Sequence, residues 1–437
     1  MTAPVPAKSG AGYRSYVLFL LTCVSIMNYV DRALIGILSP AIKQDLQLSD
    51  WELGLLKGMA FAVFYTLLSI PIARLADKHN RVSIVGLALA TWSGFTVVSG
   101  LVVNFVQLAL ARFAVSIGEA GGTAPMHSII SDYFPKDMRA KALAIVGMGV
   151  PLGAGLAFLA GGGISQVYGW RVAFIAMGLP GIILAVLLTL TVREPVRGAH
   201  DNAMGADAFS GPQASGFTLF LSALKHLWAI PTWRLIVIAV AAATFSSAAT
   251  GAWIVDLFAR AHPDYPIGIV LAVLGLSIGI GFTGGTFLGG WLVERLSVAN
   301  KAMYGIVPAA ALAVNVPTTL IWIWFDDPVM ALIMQSVGAA TVGFYFGPCY
   351  ALIQSLAPVS IRTMSTAIFF LIVNIIGLGL GPTLVGAVSN LLAPAYGDAV
   401  GLRVGLTLVT LTSAYSAFVF WRMSKTVVSD WRIVEAN

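Results

Sequence analysis

The sequence of 437 residues predicts an all-α polytopic membrane protein with twelve transmembrane helices in two pseudo-symmetric six-helix halves. Three observations predict this fold class: the composition, the length of the apolar stretches and an internal repeat. Charged residues make up 10% of the chain, against about 25% in an ordinary soluble domain. Hydrophobic residues make up 58%, more than one water-facing fold can bury. Soluble enzymes, nucleic-acid-binding proteins and disordered chains are therefore excluded.

Twelve apolar stretches are each long enough to cross the membrane, because about 18 residues at ~1.5 Å rise span most of a ~30 Å hydrocarbon core. They cover residues 15–38, 52–74, 83–103, 105–133, 139–164, 171–192, 232–259, 267–293, 302–324, 329–357, 361–389 and 400–423. Cys23 and Cys349 both lie in these stretches. The sequence thus predicts neither a disulfide framework nor a thiolate metal site, and we expect no cofactor.

An internal repeat relates the two halves. Three positions of the first half recur 223 positions later. They are Pro125, Pro135 and Arg139, with the counterparts Pro348, Pro358 and Arg362. Repeats of this kind are found in secondary transporters, whose substrate site lies between the repeats. The predicted parts are an N-terminal tail at 1–14, a first half at 15–192, a linker at 193–231, a second half at 232–423 and a C-terminal tail at 424–437.

Basic residues are concentrated on one side of this topology. The segments on the side of the N-terminus contain eighteen Lys and Arg residues, and those on the opposite side contain four. Because cytoplasmic loops carry the excess of Lys and Arg, both termini and the linker are predicted to be cytoplasmic. The linker combines Gly, Pro and Ser with an apolar stretch around Trp228, which indicates a flexible segment followed by an interfacial helix.

Four ionisable residues are predicted at helix depth in the first half, where a charge costs roughly 3 kcal/mol and indicates a functional site. They are Asp31, Arg32, Arg112 and Glu119. Arg112 and Glu119 are seven positions apart, so they share one face of span four about 10 Å apart. Their depths allow Asp31 to pair with Arg112, and Arg32 to reach Glu119. The alternative is that two ion pairs only fix span one against span four.

The loop after span two, Arg74–Arg81, contains one acidic and several basic side chains within two helical turns. A weaker version follows span eight at Glu294 and Arg295. A carboxylate here can face a helix N-terminus, and arginines can join neighbouring helix ends, which would latch the cytoplasmic side shut. The alternative is that these charges only anchor the topology.

The segment Arg74–Arg81 resembles the major facilitator superfamily signature G-x-L-x-D-[RK]-x-G-R, with Ala73 and Asn80 in place of the glycines. Its Asn-Arg ending is typical of Spinster-like transporters. Further motifs of the first half resemble the same group, namely Asn28-Tyr29-Val30-Asp31-Arg32, Gly118-Glu119-Ala120 and Arg193-Glu194-Pro195. The second half resembles the superfamily only generally. The chain is therefore similar to a bacterial Spinster homologue.

The resemblance implies a proton-coupled secondary transporter that works by alternating access. It also implies a lipid-like substrate of the lysophospholipid or sphingoid type and a bacterial inner-membrane location. We predict that Glu119, and second to it Asp31, carries the proton, because movement of a nearby arginine would change the proton affinity of a buried carboxylate. We expect a monomer whose partners are substrate, protons and membrane lipids, and no nucleic acid.

The predicted substrate site has a charged part in the first half and an apolar part in the second. The substrate-contacting residues are predicted to be Arg32, Arg112, Asn28, Tyr29, Phe245, Trp253, Tyr345, Tyr350 and Asn374. The cytoplasmic gate is predicted to contain Asp77, Lys78, Arg81, Asp132, Arg139, Glu294, Arg295 and Arg362. Within it, Asp77 is expected to face the start of span eleven near Ser360. The alternative for the aromatic side chains is contact with lipid or neighbouring helices.

Three other functions are considered. A symporter of small organic anions is the nearest alternative, since such symporters share the Asn-Tyr-x-Asp-Arg motif. A channel or lipid scramblase is less consistent, because a channel needs a ring of similar pore-lining groups and these charges are confined to the first half. An intramembrane enzyme is not expected, because no nucleophile and base are suitably spaced.

Overall fold

The computed structural model describes residues 10–198, 216–357 and 361–436, apart from the side chains at 70, 73, 77, 136, 140, 216–219, 362, 363 and 432–436. Nearly all of the described residues lie in helices joined by short turns. This confirms the predicted all-α membrane fold class. Side-chain caps begin several of the helices, as at Asn80 and Asn104, whose side chains accept from the backbone N–H groups of Ser83 and Gln107.

The helices are numbered in chain order. The first nine are α1 (Ala11–Leu46), α2 (Asp50–Lys57), α3 (Met59–Lys78), α4 (Arg81–Ser99), α5 (Phe105–Ala120), α6 (Thr123–Tyr133), α7 (Lys136–Gly147), α8 (Gly149–Leu156) and α9 (Gly162–Thr191). The remainder are α10 (Gly216–Ala229), α11 (Pro231–Ala261), α12 (Ile267–Leu276), α13 (Thr283–Ser297), α14 (Met303–Trp324), α15 (Pro328–Gly343), α16 (Phe346–Leu356), α17 (Arg362–Val373), α18 (Gly381–Tyr396) and α19 (Asp398–Ala436).

The chain divides into two compact units. The first unit consists of Met1–Leu48 and Ala60–Gly211, and the second of Ser49–Met59 and Pro212–Asn437. In the first unit, α1 packs on α8 and α9, and α4 packs on α5 and α9. In the second, α19 packs on α11, α14 and α18, while α18 also packs on α2. The short helix α2 is thus part of the second unit although it lies early in the sequence.

Ten helical stretches in the described part of the chain are long and apolar enough to cross a membrane, against twelve predicted spans. One difference arises because Asp137–Thr191 is a single stretch that includes predicted spans five and six, with a non-helical backbone at Gly169 (φ 85°). The other arises in span four, which is divided near Gly121 into α5 and α6, each shorter than 18 residues. Both differences concern helix continuity rather than the number of apolar segments.

Besides span four, several of the predicted spans depart from regular α-helix part-way along. Spans five, eight and eleven contain the π-helical segments Ala157–Gly161, Ser277–Phe282 and Asn374–Leu380. Span two breaks at Gly58, where φ is −120° and ψ is −93°. π-helical turns are rare and frequently lie at functional positions, so these spans are candidates for the parts that bend.

Gly285 permits α13 to pack closely on α15. A Cβ atom at this position would overlap the carbonyl oxygen of Ala340, whereas a Cβ atom at the neighbouring Gly284 would have no atom within 4 Å. We predict that Gly285→Ala lowers the stability of the protein by about 1–3 kcal/mol, the usual cost of overpacking. Gly284→Ala serves as the matched control and is expected to be neutral or stabilising, since Ala favours helix. Melting temperatures of the purified variants test this, and equal shifts for both would contradict it.

Candidate functional site

The first unit brings together the four charged residues predicted at helix depth, which we call the first-unit charge cluster. Asp31 and Arg32 lie on α1, and Arg112 and Glu119 lie on α5. Asp31, Arg112 and Glu119 have exposed fractions of 2%, 1% and 0%. The side chain of Arg32 is 18% exposed, so it is the member of the cluster most accessible to a ligand.

Arg32 and Glu119 form the central ion pair of the cluster. Nε of Arg32 donates to Oε2 of Glu119 at 2.6 Å. The other carboxylate oxygen, Oε1, accepts no hydrogen bond within the described part of the chain. This contact is the one that the sequence made geometrically plausible, and it leaves Oε1 of the buried carboxylate outside the ion pair.

Three aromatic rings surround the Arg32 guanidinium. Its Cζ atom lies 5.2 Å from the ring centroid of Tyr29, 4.8 Å from that of Phe61 and 4.6 Å from that of Tyr65. Arginine is attracted to the faces of such rings, and the attraction is stronger where water is excluded. Of these three rings, the sequence predicted Tyr29 at the site but not Phe61 and Tyr65. Their spacing of four positions on α3 is the signal that could have indicated a shared helix face.

Arg112 contacts Asp31 through the main chain rather than through the carboxylate. Its Nη2 lies 3.4 Å from the carbonyl oxygen of Asp31. Nε and Nη1 have no hydrogen-bond partner among the residues that the structure describes. The predicted side-chain pair is therefore replaced by a weaker contact, and Arg112 keeps unused donors. Asn28 also lies on α1 and in the predicted site, and it is buried, with an exposed fraction of 8%.

Arg81 organises the charged residues at the start of α4. It is 3% exposed, and its guanidinium donates to the carboxylate of Asp132, to Ser128 Oγ and to Glu194 Oε1. It also donates to the carbonyl oxygen of Pro195 at 3.1 Å. Arg81 therefore joins α4, α6 and the segment after α9. The sequence predicted Arg81 and Asp132 as gate residues, but it did not indicate Glu194 as the second partner of Arg81.

The segment after α9 makes further contacts with this region. Nη2 of Arg197 donates to the carbonyl oxygens of Ala76 and His79, both at 2.8 Å, at the end of α3. The N–H of Gly198 donates to Asp132 Oδ1 at 2.9 Å. A cation at a helix C-terminus is stabilised by the unpaired carbonyls and the helix dipole. These contacts fasten the end of the first six-helix half to its own loops.

The other predicted gate residues are distributed over both units. In the first unit, Lys78 is exposed at the end of α3 and Arg139 donates to the carbonyl oxygen of Phe134 at 3.1 Å. In the second, Glu294 is exposed and Arg295 lies over the ring of Trp291 at 5.4 Å. The side chains of Asp77 and Arg362, and all of Ser360, lie outside the described residues. The latch between them stays a prediction.

The aromatic residues predicted to contact substrate in the second unit fall into two groups. Trp253 and Tyr345 are 0% and 1% exposed, and the indole N–H of Trp253 donates to the carbonyl oxygen of Pro382. In this conformation both rings are covered by the second unit, so their contact with substrate stays a prediction. Tyr350 is 36% exposed, and Phe245 and Asn374 are half-buried, so these three keep accessible surface.

A second set of buried charges was missed and is called the α2 cluster: Asp50, Lys57, Asp256 and Arg260. Nζ of Lys57 lies 2.6 Å from Asp256 Oδ2, and both side chains are 0% exposed. Nη1 and Nη2 of Arg260 each lie 2.7 Å from one carboxylate oxygen of Asp50. Among the described residues, no group of three or more His, Cys, Asp or Glu side chains is placed to hold a metal ion.

The chain matches known proteins along most of its length. A family model described as Major Facilitator Superfamily matches residues 21–382. The chain belongs to this superfamily. An MFS-type efflux pump of Mycolicibacterium smegmatis is 30% identical to this transporter over 93% of the chain and 91% of the relative's own length.

Two further comparisons identify the transporter as Spinster-like. Protein spinster of Drosophila melanogaster is 26% identical over 71% of this chain, which spans about half (52%) of the fly protein. A solved structure of a bacterial homologue of the human lysosomal transporter Spinster, in an inward-facing and unoccupied conformation, matches with a TM-score of 0.83. It is 29% identical, and the match covers 97% of this chain and 99% of the other.

The Arg81 contacts predict a specific effect on the stability of the transporter. Arg81→Lys keeps the charge but removes the planar fork that contacts two carboxylates at once. We predict a loss of about 1–3 kcal/mol, the cost of leaving buried hydrogen-bonding groups unpaired. Arg74→Lys is the control, because Arg74 is exposed one turn before the end of α3. Thermal unfolding of the purified variants measures the difference, and an Arg81→Lys variant as stable as the control would refute the structural role.

Proposed function

We propose that this Spinster-like transporter moves an amphipathic, lipid-like substrate of the lysophospholipid or sphingoid type by proton-coupled alternating access. The observation that carries the proposal is the ion pair between a partly exposed Arg32 and a fully buried Glu119, with three aromatic rings around the arginine. An arginine in this position can bind an anionic head group, while the carboxylate behind it can bind a proton.

Coupling between substrate and proton follows from competition for one guanidinium. An anionic head group that reaches the exposed side of Arg32 competes with the Glu119 carboxylate for it. A buried carboxylate that loses its counter-charge is strongly disfavoured in an apolar environment, so its protonation becomes favourable. Substrate binding and proton binding at Glu119 are then linked in one step. Asp31 is proposed as the second acid, since it lies in the electrostatic field of both Glu119 and Arg112.

The remaining parts of the substrate have separate candidate contacts. Arg112 has unused donors that suit a phosphate or carboxylate oxygen, and Asn28 and Tyr29 lie on the same helix as Arg32. In the second unit, the ring of Tyr350 lies 6.4 Å from Phe369 and 5.1 Å from Phe370. This aromatic group with accessible surface is proposed to contact the apolar tail, together with Phe245 and Asn374.

The proposed setting is the inner membrane of a bacterium, with both termini and the linker in the cytoplasm. The eighteen-to-four excess of basic residues supports this orientation. Helix α10 lies within the predicted linker, and it buries Ala223 and Leu227 while Leu221 and Trp228 stay exposed. This pattern supports an interfacial helix. The inward-facing conformation described for the bacterial Spinster homologue supports alternating access.

The coupling role predicts the behaviour of Glu119→Gln. Glutamine keeps the shape of the side chain and cannot release a proton, so we expect uptake driven by a pH gradient to fall to background in proteoliposomes. The variant should remain folded and monodisperse. Asp264→Asn, which alters an exposed loop acid, is the matched control and should transport normally. A Glu119→Gln variant with an unchanged pH dependence would exclude Glu119 as the proton carrier.

The substrate class predicts a dependence on tail length. Each buried methylene contributes about 0.8 kcal/mol. A lysophospholipid analogue with the same head group and four fewer buried methylenes should therefore bind about two hundredfold more weakly. Binding to the purified transporter in nanodiscs measures this ratio, with the free head group as the limiting case. Equal affinity for long and short tails would instead favour a symporter of small organic anions, which needs Arg32 but no apolar wall.

A further inference from the structure

Helix α2 packs within the second unit, although the chain on both sides of it belongs to the first unit. The chain leaves the first unit after Leu48 and returns to it at Ala60, so Ser49–Met59 alone in this region belongs to the second unit. A capping box between Ser49 and Glu52 begins α2, and the helix ends at Gly58. Non-helical backbone flanks it on both sides, at Gln47 (φ 53°) and at Gly58 (φ −120°, ψ −93°). These junctions allow α2 to move as a rigid piece.

Each end of α2 is fixed by an ion pair. At its first residue, the Asp50 carboxylate contacts two nitrogens of Arg260 at 2.7 Å and accepts from Ser389 Oγ at 2.5 Å. At its last residue, Lys57 contacts Asp256 at 2.6 Å. The Lys57 ammonium also lies 3.7 Å from the centroid of the Trp253 ring. Because that ring is hydrogen-bonded to α18, both ends of α2 are joined to α11 and α18.

The helix backbone also contacts α18 directly. Thr383 Oγ1 donates to the carbonyl oxygen of Gly54 at 3.1 Å and accepts from the N–H of Met59 at 3.2 Å. A Cβ atom at Gly58 would overlap the carbonyl oxygen of Gly379 and lie 2.6 Å from Thr383 Oγ1. Asp50, Gly54 and Lys57 thus fix α2 at three points along its length. We call the surface of α11 and α18 that they contact the seat of α2.

This arrangement is unusual for a contact that only needs to be stable. Burying two anions and two cations costs desolvation, and well-packed apolar residues would hold α2 at least as strongly. With paired charges, the contact between α2 and its neighbours is stable only when both ion pairs are complete. Once the helices separate, water can hydrate the charged groups, so the separated state is also accessible. A surface built in this way suits a helix that must leave its seat and return to it.

We propose that α2 is a detachable clasp, seated on α11 and α18 by the α2 cluster in this conformation and released from them in another conformation of the transport cycle. The proposal rests on the alternating-access part of the proposed function, and it needs neither proton coupling nor a lipid substrate. Release would expose Lys57 and Asp50 on one side, and Asp256 and Arg260 on the other.

A distance measurement tests release without any substrate. Spin labels at Trp51→Cys on α2 and Leu391→Cys on α18 occupy positions that are 43% and 76% exposed, in a background without Cys23 and Cys349. The neutral pair Lys57→Met/Asp256→Asn removes the Lys57–Asp256 ion pair and the 3.9 Å contact of Asp256 with Arg260, while Arg260 keeps Asp50. It puts no well-packed apolar surface in their place, so the contact loses its attraction without a replacement. We expect it to increase the population at longer label distances at least fivefold in the folded protein. Asp45→Asn, which breaks the exposed pair with Arg171, is the control and should leave the distances unchanged.

Labelling of the unmutated transporter covers the case in which the double variant does not fold. Lys57 is 0% exposed when the clasp is seated, whereas Lys225 on α10 is exposed. With an amine-reactive reagent, Lys57 should become modified slowly but completely, after Lys225. An unmodified Lys57 at the end of the reaction, or unchanged label distances in a folded double variant, would overturn the clasp. Failure of lysophospholipid transport with altered label distances would count against the proposed substrate and leave the clasp supported.

Discussion

A charge buried in a membrane protein is costly unless it is paired, and the positions of the ion pairs determine how the helices can pack. An isolated ion in an apolar environment costs several kcal/mol even after relaxation. The chain meets this constraint locally: Arg32 with Glu119, Lys57 with Asp256 and Asp50 with Arg260. Each pair joins helices that are distant in sequence, so the ion pairs specify helix register where apolar side chains alone would permit sliding.

The pairs differ in their access to ligand, and this difference separates their roles. Arg32 is 18% exposed and is surrounded by aromatic rings, so another anion can reach it. Lys57 and Asp256 are both 0% exposed, and the ammonium is covered by Trp253. Competition by a ligand is possible at the first pair, whereas the second can open only if a helix moves. Buried ion pairs in this chain thus have two roles: the Arg32 pair is open to a ligand, and the Lys57 pair holds a helix.

The sequence predicted the fold class and the first-unit charge cluster because both depend on patterns that are local. Apolar length identifies spans, and a spacing of seven places Arg112 and Glu119 on one face. The α2 cluster could not be predicted in this way. Asp50 and Arg260 are 210 positions apart, and nothing local indicates that a helix between two segments of the first unit in the sequence packs within the second unit. Glu194 was missed for a similar reason, since its contact with Arg81 depends on how the segment after α9 returns to α4.

The rotation of the second-unit helices was a further limit. Trp253 and Tyr350 are both aromatic residues within apolar spans, and sequence alone gives no reason to separate them. In the structure one is fully covered and the other is 36% exposed. Hydropathy identifies a membrane helix because all of its faces are apolar, and for the same reason it does not show which face meets a ligand, lipid or another helix.

The membership of α2 in the second unit has a consequence for biogenesis. This helix is synthesised about two hundred residues before α11 and more than three hundred before α18, so its seat does not exist when span two enters the membrane. Assembly of the second unit therefore includes a late step in which it takes up a helix that was inserted with the first half. A polypeptide starting at Pro212 would contain Asp256 and Arg260 without Lys57 and Asp50. The division into halves that is visible in the sequence therefore differs from the division into compact units by this one helix.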